Sequence, residues 1–160
     1  MNMNDRMDTT PPRIEDILPH RGSMLLLAHV DTWDDETLRA SAHVDPTAWY
    51  ADPEGAMPAW FGIELMAQAI AAHVGLLSMR EGNPARPGVL LGSRKYEAHA
   101  PAFASNQPLS IAVQEVLRST EGHGAYACTI AAGGRDLAQA VIKVYQPTDF
   151  QAFIEGSFAS

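Results

Sequence analysis

At 160 residues, with 46% hydrophobic and 19% charged side chains, the sequence is long enough for one domain with a sizeable core and asks for no second one. Nineteen Asp and Glu against eleven Lys and Arg give a formal net charge of -8, which favours solubility and excludes a basic nucleic-acid-binding stripe. No apolar run is expected to span a bilayer, because Glu64, Gln68 and His73 interrupt the most apolar one, and the single Cys128 offers neither an internal disulfide nor metal-ligand spacing.

Residues 1–12, MNMNDRMDTTPP, are polar and lack the apolar centre of a signal peptide, so they are expected to form a flexible leader, with the cytoplasm as the default location. IEDILPHRGSM predicts a short helical turn closed by Pro19, then a loop holding Arg21 and Gly22. MLLLAHVDTW, short, apolar and bounded by charge, predicts the first strand. TLRASAHVD alternates Leu38, Ala40, Ala42 and Val44 with Arg39, Ser41 and His43, the period of a half-buried second strand. PTAWYADPEGAMP breaks all periodicity with its prolines and glycine and predicts a loop.

From Pro58 the pattern changes. A proline at the first helical position leads into good helix formers that continue to about Arg80, with Gly82 and Pro84 as stop signals. Trp60, Phe61, Ile63, Leu65, Met66, Ile70, Val74 and Leu77 leave no solvent face, the mark of a buried helix. GVLLGSRKYEAHA, PLSIAVQEVLRS, GAYACTIAA and DLAQAVIKVYQ then predict four more strands, with GGRD as the hairpin turn between the last two and Cys128 as a small buried strand residue. The tail at 148–160 carries Phe150, Phe153 and Phe158 in no clear register, leaving 13–147 as the domain.

Strands in succession can bury such a helix only by curling round it, so the class expected is α+β, an antiparallel sheet wrapped around one long buried helix. That arrangement is the hotdog fold. Two stretches carry a family resemblance to it. LPHRGSMLLLAHV resembles the LPHR-x-P-(F/M)-L-L opening of the FabZ-like hotdog 3-hydroxyacyl-(acyl carrier protein) dehydratases, and MPAWFGIELMAQA resembles their xPGxxxxEAMAQ helix start. LGSRKYEAHAPAFASNQPLSIAV is similar to the family's basic strand, (V/L)xPGDxL turn and following strand, so the resemblance runs from Ile14 to Gln146. LPH near the start, with P-x-W-x-x-x-E-L-M-A-Q on the helix, also looks like the dehydratase-like proteins found with aryl polyene biosynthesis, a fatty-acid-like pathway.

The resemblance implies a division of labour. Dehydration removes a proton beside the thioester carbonyl and protonates the departing hydroxyl, work that a His and a carboxylate can share across a dry tunnel. In the family the two come from different protomers of a dimer, and a backbone N–H at the helix start binds the thioester oxygen. Carried onto this chain, the carboxylate is Glu64, the glutamine after it is Gln68, and the N–H is that of Ala59, where the family has Gly. Glu64 is expected to be buried in the tunnel, where desolvation favours the neutral acid, with Gln68 orienting it or a water and with Trp60 and Phe61 lining or capping the space. The family's catalytic His, however, has Tyr50 in its place.

Three readings follow. In the favoured one, this chain pairs with another hotdog dehydratase subunit that supplies the His, while Glu64 completes the shared site. In the second it acts alone, as a homodimer, with another His recruited. His20 is then the first candidate, although LPHR also occurs in members that keep the usual His, which favours a structural role. His43 lies on the polar face of a strand, His73 lies too far along the helix to share a proton with Glu64, and nothing recommends His29, His99 or His123. In the third the chain is a non-catalytic structural or acyl-binding subunit. An acyl thioesterase is a further alternative, against which stands the absence of an H-G-G helix lead-in. The implied partner is a phosphopantetheine-bearing acyl carrier protein, itself acidic, for which Arg94 and Lys95, or Arg21, are landing candidates. No metal or cofactor is implied.

Overall fold

A computed structural model describes residues 12–82 and 89–146. Residues 1–11 of the leader, Pro84, the tail with Phe150, Phe153 and Phe158, and the side chain of Arg94 lie outside the described residues. The chain opens with a single helical turn, α1 (Ile14–Ile17), whose Ile14 and Ile17 are buried. Next come β1 (Leu27–Trp33) and β2 (Thr37–His43), joined by a turn in which the Asp34 carboxylate accepts the N–H groups of Glu36 (2.9 Å) and Thr37 (2.8 Å). Those two donors hold the Asp34 carboxyl below its ordinary value. On β2 the alternation holds: Leu38, Ala40 and Ala42 are buried and Arg39 and His43 exposed.

The predicted loop of 45–56 contains turns built by its own acids, with Asp52 Oδ1 accepting the N–H of Glu54 at 2.9 Å and of Ala56 at 3.0 Å. It runs into the two-residue strand β3 (Met57–Pro58), a turn of 3₁₀ helix over Ala59–Phe61, and the helix α2 (Gly62–Arg80). The remaining strands are β4 (Val89–Ala98), the two-residue β5 (Ala102–Phe103), β6 (Pro108–Arg118), β7 (His123–Ala132) and β8 (Arg135–Tyr145). Gly133 (φ 56°) and Gly134 (φ 78°) make the two-residue β7–β8 turn, a conformation that other residues resist. Sequence periodicity gave no sign of β3 and β5, which are too short to carry one. They pair Met57 with Phe103 and Pro58 with Ala102, tying down the approach to α2.

The six long strands form one antiparallel sheet in the order β1-β2-β6-β7-β8-β4, and α2 touches every one of them. Leu65, Met66, Ala69, Ile70, Ala72 and Leu76 on α2 meet Leu38, Ile111, Ile130 and Ile142 from the sheet, all at most 2% exposed. This is the expected wrapped-helix architecture. By length and composition alone, the 22-residue segment Ala59–Arg80 is apolar enough to cross a membrane, with a mean hydropathy of 1.4 over its most apolar 18 residues. In the fold it is the core helix, 61% buried within the chain itself, because the sheet takes the place of lipid around it. Cys128 is buried as expected, and burial pushes its thiol up to about 12, which leaves it unreactive.

His73 is the one imidazole sealed in this core. Its Nε2 lies 2.9 Å from the Asp34 carbonyl and its Nδ1 2.9 Å from the Tyr126 hydroxyl, which in turn lies 3.1 Å from Glu115 Oε2. A carbonyl can only accept, so the proton of the neutral ring sits on Nε2. Burial lowers the proton affinity of His73 below the ordinary value of 6.5 and raises that of the Tyr126 phenolate. As pH falls, the unfolded chain therefore binds this proton before the folded one does. The stability contributed by neutral His73 is complete above pH 6.5 and is lost as pH falls below it. Thermal midpoints measured across that range should decline with acidification, and His73→Leu should flatten the slope; a parallel slope in the variant would remove His73 as the cause.

Candidate active site

Gln68 organises the site. It sits on α2 with no exposure at all, and its four hydrogen-bonding positions are filled. Its Oε1 accepts the N–H groups of Leu26 (3.0 Å) and Leu27 (3.4 Å), and its Nε2 donates to the Met24 carbonyl (2.8 Å) and to Glu64 Oε1 (3.0 Å). Two backbone donors on one side and two oxygens on the other admit a single amide orientation. The expected orientation of Glu64 by Gln68 thus has a geometric basis. The alternative, orientation of a water, does not, since neither amide hydrogen is left over.

Glu64 stands one helical turn before Gln68 on the same face. Its Oε1 takes the Gln68 donor and lies 3.8 Å from His20 Nε2, while Oε2 has no partner among the described residues. The side chain is 43% exposed, so the expected burial of this carboxylate is not met in the single chain. The helix around it is apolar because of the core; the carboxylate itself faces outward, and only an added surface could enclose it. When the acid is protonated, the Gln68 N–H on Oε1 leaves Oε2 as the oxygen that carries the proton.

His20 reaches this carboxylate from the loop after α1, with its side chain 28% exposed. The neighbouring Arg21 folds back onto backbone, its guanidinium donating to the carbonyls of Leu18 (2.5 Å) and His20 (2.7 Å). No other His touches Glu64 among the described residues. His29 pairs with Asp31 at 2.9 Å, His123 stacks on Tyr145 at 4.7 Å, His43 and His99 are exposed on the strands and their ends, and His73 is sealed in the core.

Tyr50 is turned into the protein, 8% exposed, and its hydroxyl accepts the Asp45 N–H at 2.9 Å. It closes a loop, and its hydroxyl is engaged there. Phe61 packs between Trp49 (5.3 Å) and Tyr50 (5.8 Å), whereas Trp60 stands 67% exposed. Phe61 anchors the loop, and Trp60, its ring 5.8 Å from that of Phe61, faces outward one turn ahead of Glu64. The expected role of Ala59 meets an obstacle as well. Its N–H donates to the Pro101 carbonyl at 2.9 Å, and its own carbonyl accepts the Tyr96 hydroxyl. The next donor of that turn is the Trp60 N–H, which has no carbonyl within the helix to reach.

Sequence reasoning missed two residues here. Trp49, 54% exposed, bonds the Ser23 carbonyl through Nε1 at 2.8 Å and so ties the His20–Met24 loop to the 45–56 loop. Tyr96 comes in from β4 so close to Gly62 that a Cβ there would force its hydroxyl to shift. No periodic pattern marks either residue. A cavity of about 200 Å³ lined by Ser78, Glu81, Glu115, Arg118 and Tyr126 lies elsewhere. Ser78 is about 20 Å along α2 from Glu64, too far to serve its chemistry. Among the described residues no cluster of His, Cys, Asp and Glu could hold a metal ion.

Among curated proteins none matches the sequence. The chain superposes on one from the ApeI:P dehydratase heterocomplex of Xenorhabdus doucetiae with a TM-score of 0.85 and 27% identity, covering 91% of this chain and 97% of that one. A hypothetical thioesterase with coenzyme A from Streptococcus pneumoniae TIGR4 (TM-score 0.60, 16% identity, 75% and 88% coverage) and the E. coli PaaI protein from the phenylacetic acid degradation operon (0.60, 11%, 74% and 82%) share the fold alone. The ApeP-like family model, described as ApeP dehydratase, matches residues 12–155. A match over nearly the whole chain, on a wrapped-helix fold with Glu64 at the helix start, makes this protein a member of the ApeP-like family, a hotdog dehydratase or a subunit of one.

Proposed function

We propose that this chain is the carboxylate-bearing subunit of a 3-hydroxyacyl-(acyl carrier protein) dehydratase, sharing its active site with a second hotdog subunit that supplies the histidine. One observation carries the reading: Glu64 is held at one oxygen and open at the other, while Tyr50, where a histidine is expected, is turned inward. A relative from a dehydratase heterocomplex agrees with it. The partner's imidazole removes the proton next to the thioester carbonyl. The electrons of that C–H bond become the new C=C bond, the C–O bond at the next carbon breaks, and the hydroxyl leaves as water with the proton from Glu64 Oε2. The Trp60 N–H is the donor available to the thioester oxygen at the positive end of α2.

The carrier protein, acidic and bearing phosphopantetheine, lands on exposed basic residues. Lys95 is exposed, whereas Arg21 is engaged with backbone carbonyls. A fatty-acid-like pathway in the cytoplasm, of the aryl polyene kind, is the setting this reading places it in. The competing reading, a non-catalytic companion, is favoured by the Ala59 N–H being already taken by Pro101. The deciding experiment is a dehydration assay on a 3-hydroxyacyl carrier-protein substrate, with the protein alone and mixed with a His-bearing hotdog subunit. Turnover only in the mixture supports the shared site; turnover by the protein alone overturns it.

A further inference from the structure

His20 has two nitrogens in opposite situations. Nε2 faces Glu64 Oε1 at 3.8 Å, while Nδ1 is buried with no hydrogen-bond partner among the described residues. A neutral imidazole carries one proton and must place it on one of them. On Nδ1 the proton would be buried without an acceptor, and a bare lone pair would face the carboxylate. On Nε2 the N–H points at Oε1. The surroundings therefore select the Nε2–H tautomer. At 3.8 Å the contact is longer than a direct hydrogen bond, as contacts in unliganded catalytic sites often are before substrate tightens them. Arg21, the neighbouring cation on this loop, is held on the Leu18 and His20 carbonyls and makes no contact with the carboxylate, so His20 and Gln68 are the donors directed at it.

We propose that His20 is a positioning residue that works through Glu64. With Gln68 it converges two N–H donors on Oε1, which fixes the rotamer of the carboxyl group and reserves Oε2 as the oxygen that exchanges a proton with substrate. His20 does not itself take the substrate's proton, because Nε2 already carries one and Nδ1 is sealed away. This rests on the reading of Glu64 as the acid.

The test uses the active complex with a 3-hydroxyacyl carrier-protein substrate. His20→Leu, which removes the donor, should lower kcat about tenfold with KM within about twofold, and His20→Gln, whose amide can present an N–H near the Nε2 position, should recover most of the loss. A purely structural role would move KM and the thermal midpoint with kcat and would not be rescued by Gln. On the protein alone, an imidazole nitrogen NMR spectrum should show His20 as the Nε2–H tautomer; the Nδ1–H tautomer would overturn the proposal even if a variant failed to fold. Glu64→Gln separates the two levels. If it abolishes turnover while His20→Leu behaves as wild type, only the role of His20 falls. If Glu64→Gln leaves turnover intact, the reading of Glu64 falls and takes this proposal with it.

Discussion

Glu64→Gln, in a complex with a His-bearing hotdog subunit, should lower kcat at least about a hundredfold while leaving the fold intact. The amide keeps the size of the side chain, and its oxygen can still accept the Gln68 N–H that now meets Oε1 at 3.0 Å. What disappears is the proton on Oε2, and with it the group that turns the departing hydroxyl into water. Because the side chain is 43% exposed in the single chain, no buried charge is removed and the thermal midpoint should scarcely move. Glu64→Asp is a useful companion: the acid survives but is one methylene short of the Gln68 donor, so its turnover should fall between the two. Steady-state kinetics and a melting curve on the same preparations decide the matter, and wild-type turnover in Glu64→Gln would end the acid role.

Gln68→Leu should have the largest effect on stability, about 3 kcal/mol, or roughly 10 °C in thermal midpoint. Leucine fills the space, so the cost is chiefly polar. The N–H groups of Leu26 and Leu27 and the Met24 carbonyl all lose their partner in a region from which Gln68 itself is wholly shielded. These three residues form the entry to β1, so the loss also frees the loop that carries His20. Glu64 loses its fixed oxygen at the same time, and turnover should drop with stability. Gln68→Glu sharpens the point, since it keeps an acceptor for Leu26 and Leu27 but sets a second carboxylate against Glu64. Denaturant unfolding of the three proteins measures the difference; a loss below about 1 kcal/mol in Gln68→Leu would show that water replaces the amide.

Much of this was legible in the residues. The alternation of Leu38, Ala40 and Ala42, the all-round apolar run after Pro58 and the glycine pair at 133 and 134 each reflect a local constraint that one stretch of sequence states completely. Glu64 and Gln68 could be singled out because they are polar residues in that apolar run, four apart. The rest depends on partners far along the chain. That Gln68 holds the segment from Met24 to Leu27, that Tyr50 turns inward onto Asp45, and that Pro101 occupies the Ala59 N–H are facts of tertiary closure with no periodicity to announce them. The burial expected of Glu64 is not met in the single chain, for a related reason. The hydrophobicity of neighbours along a helix reports the core side, and a single outward residue is free of it.

The sheet that covers α2 is mostly made after it. The helix ends at Arg80, whereas β4, β6, β7 and β8 all follow, and β2 waits for Gln114 to arrive opposite Thr37. During synthesis, then, a stretch of membrane-like hydropathy leaves the ribosome well before its wrapping exists, for roughly ten seconds at ordinary elongation rates. Through that interval it is a substrate for whatever binds apolar nascent chain. Its burial is therefore completed only once the second half of the chain has been made.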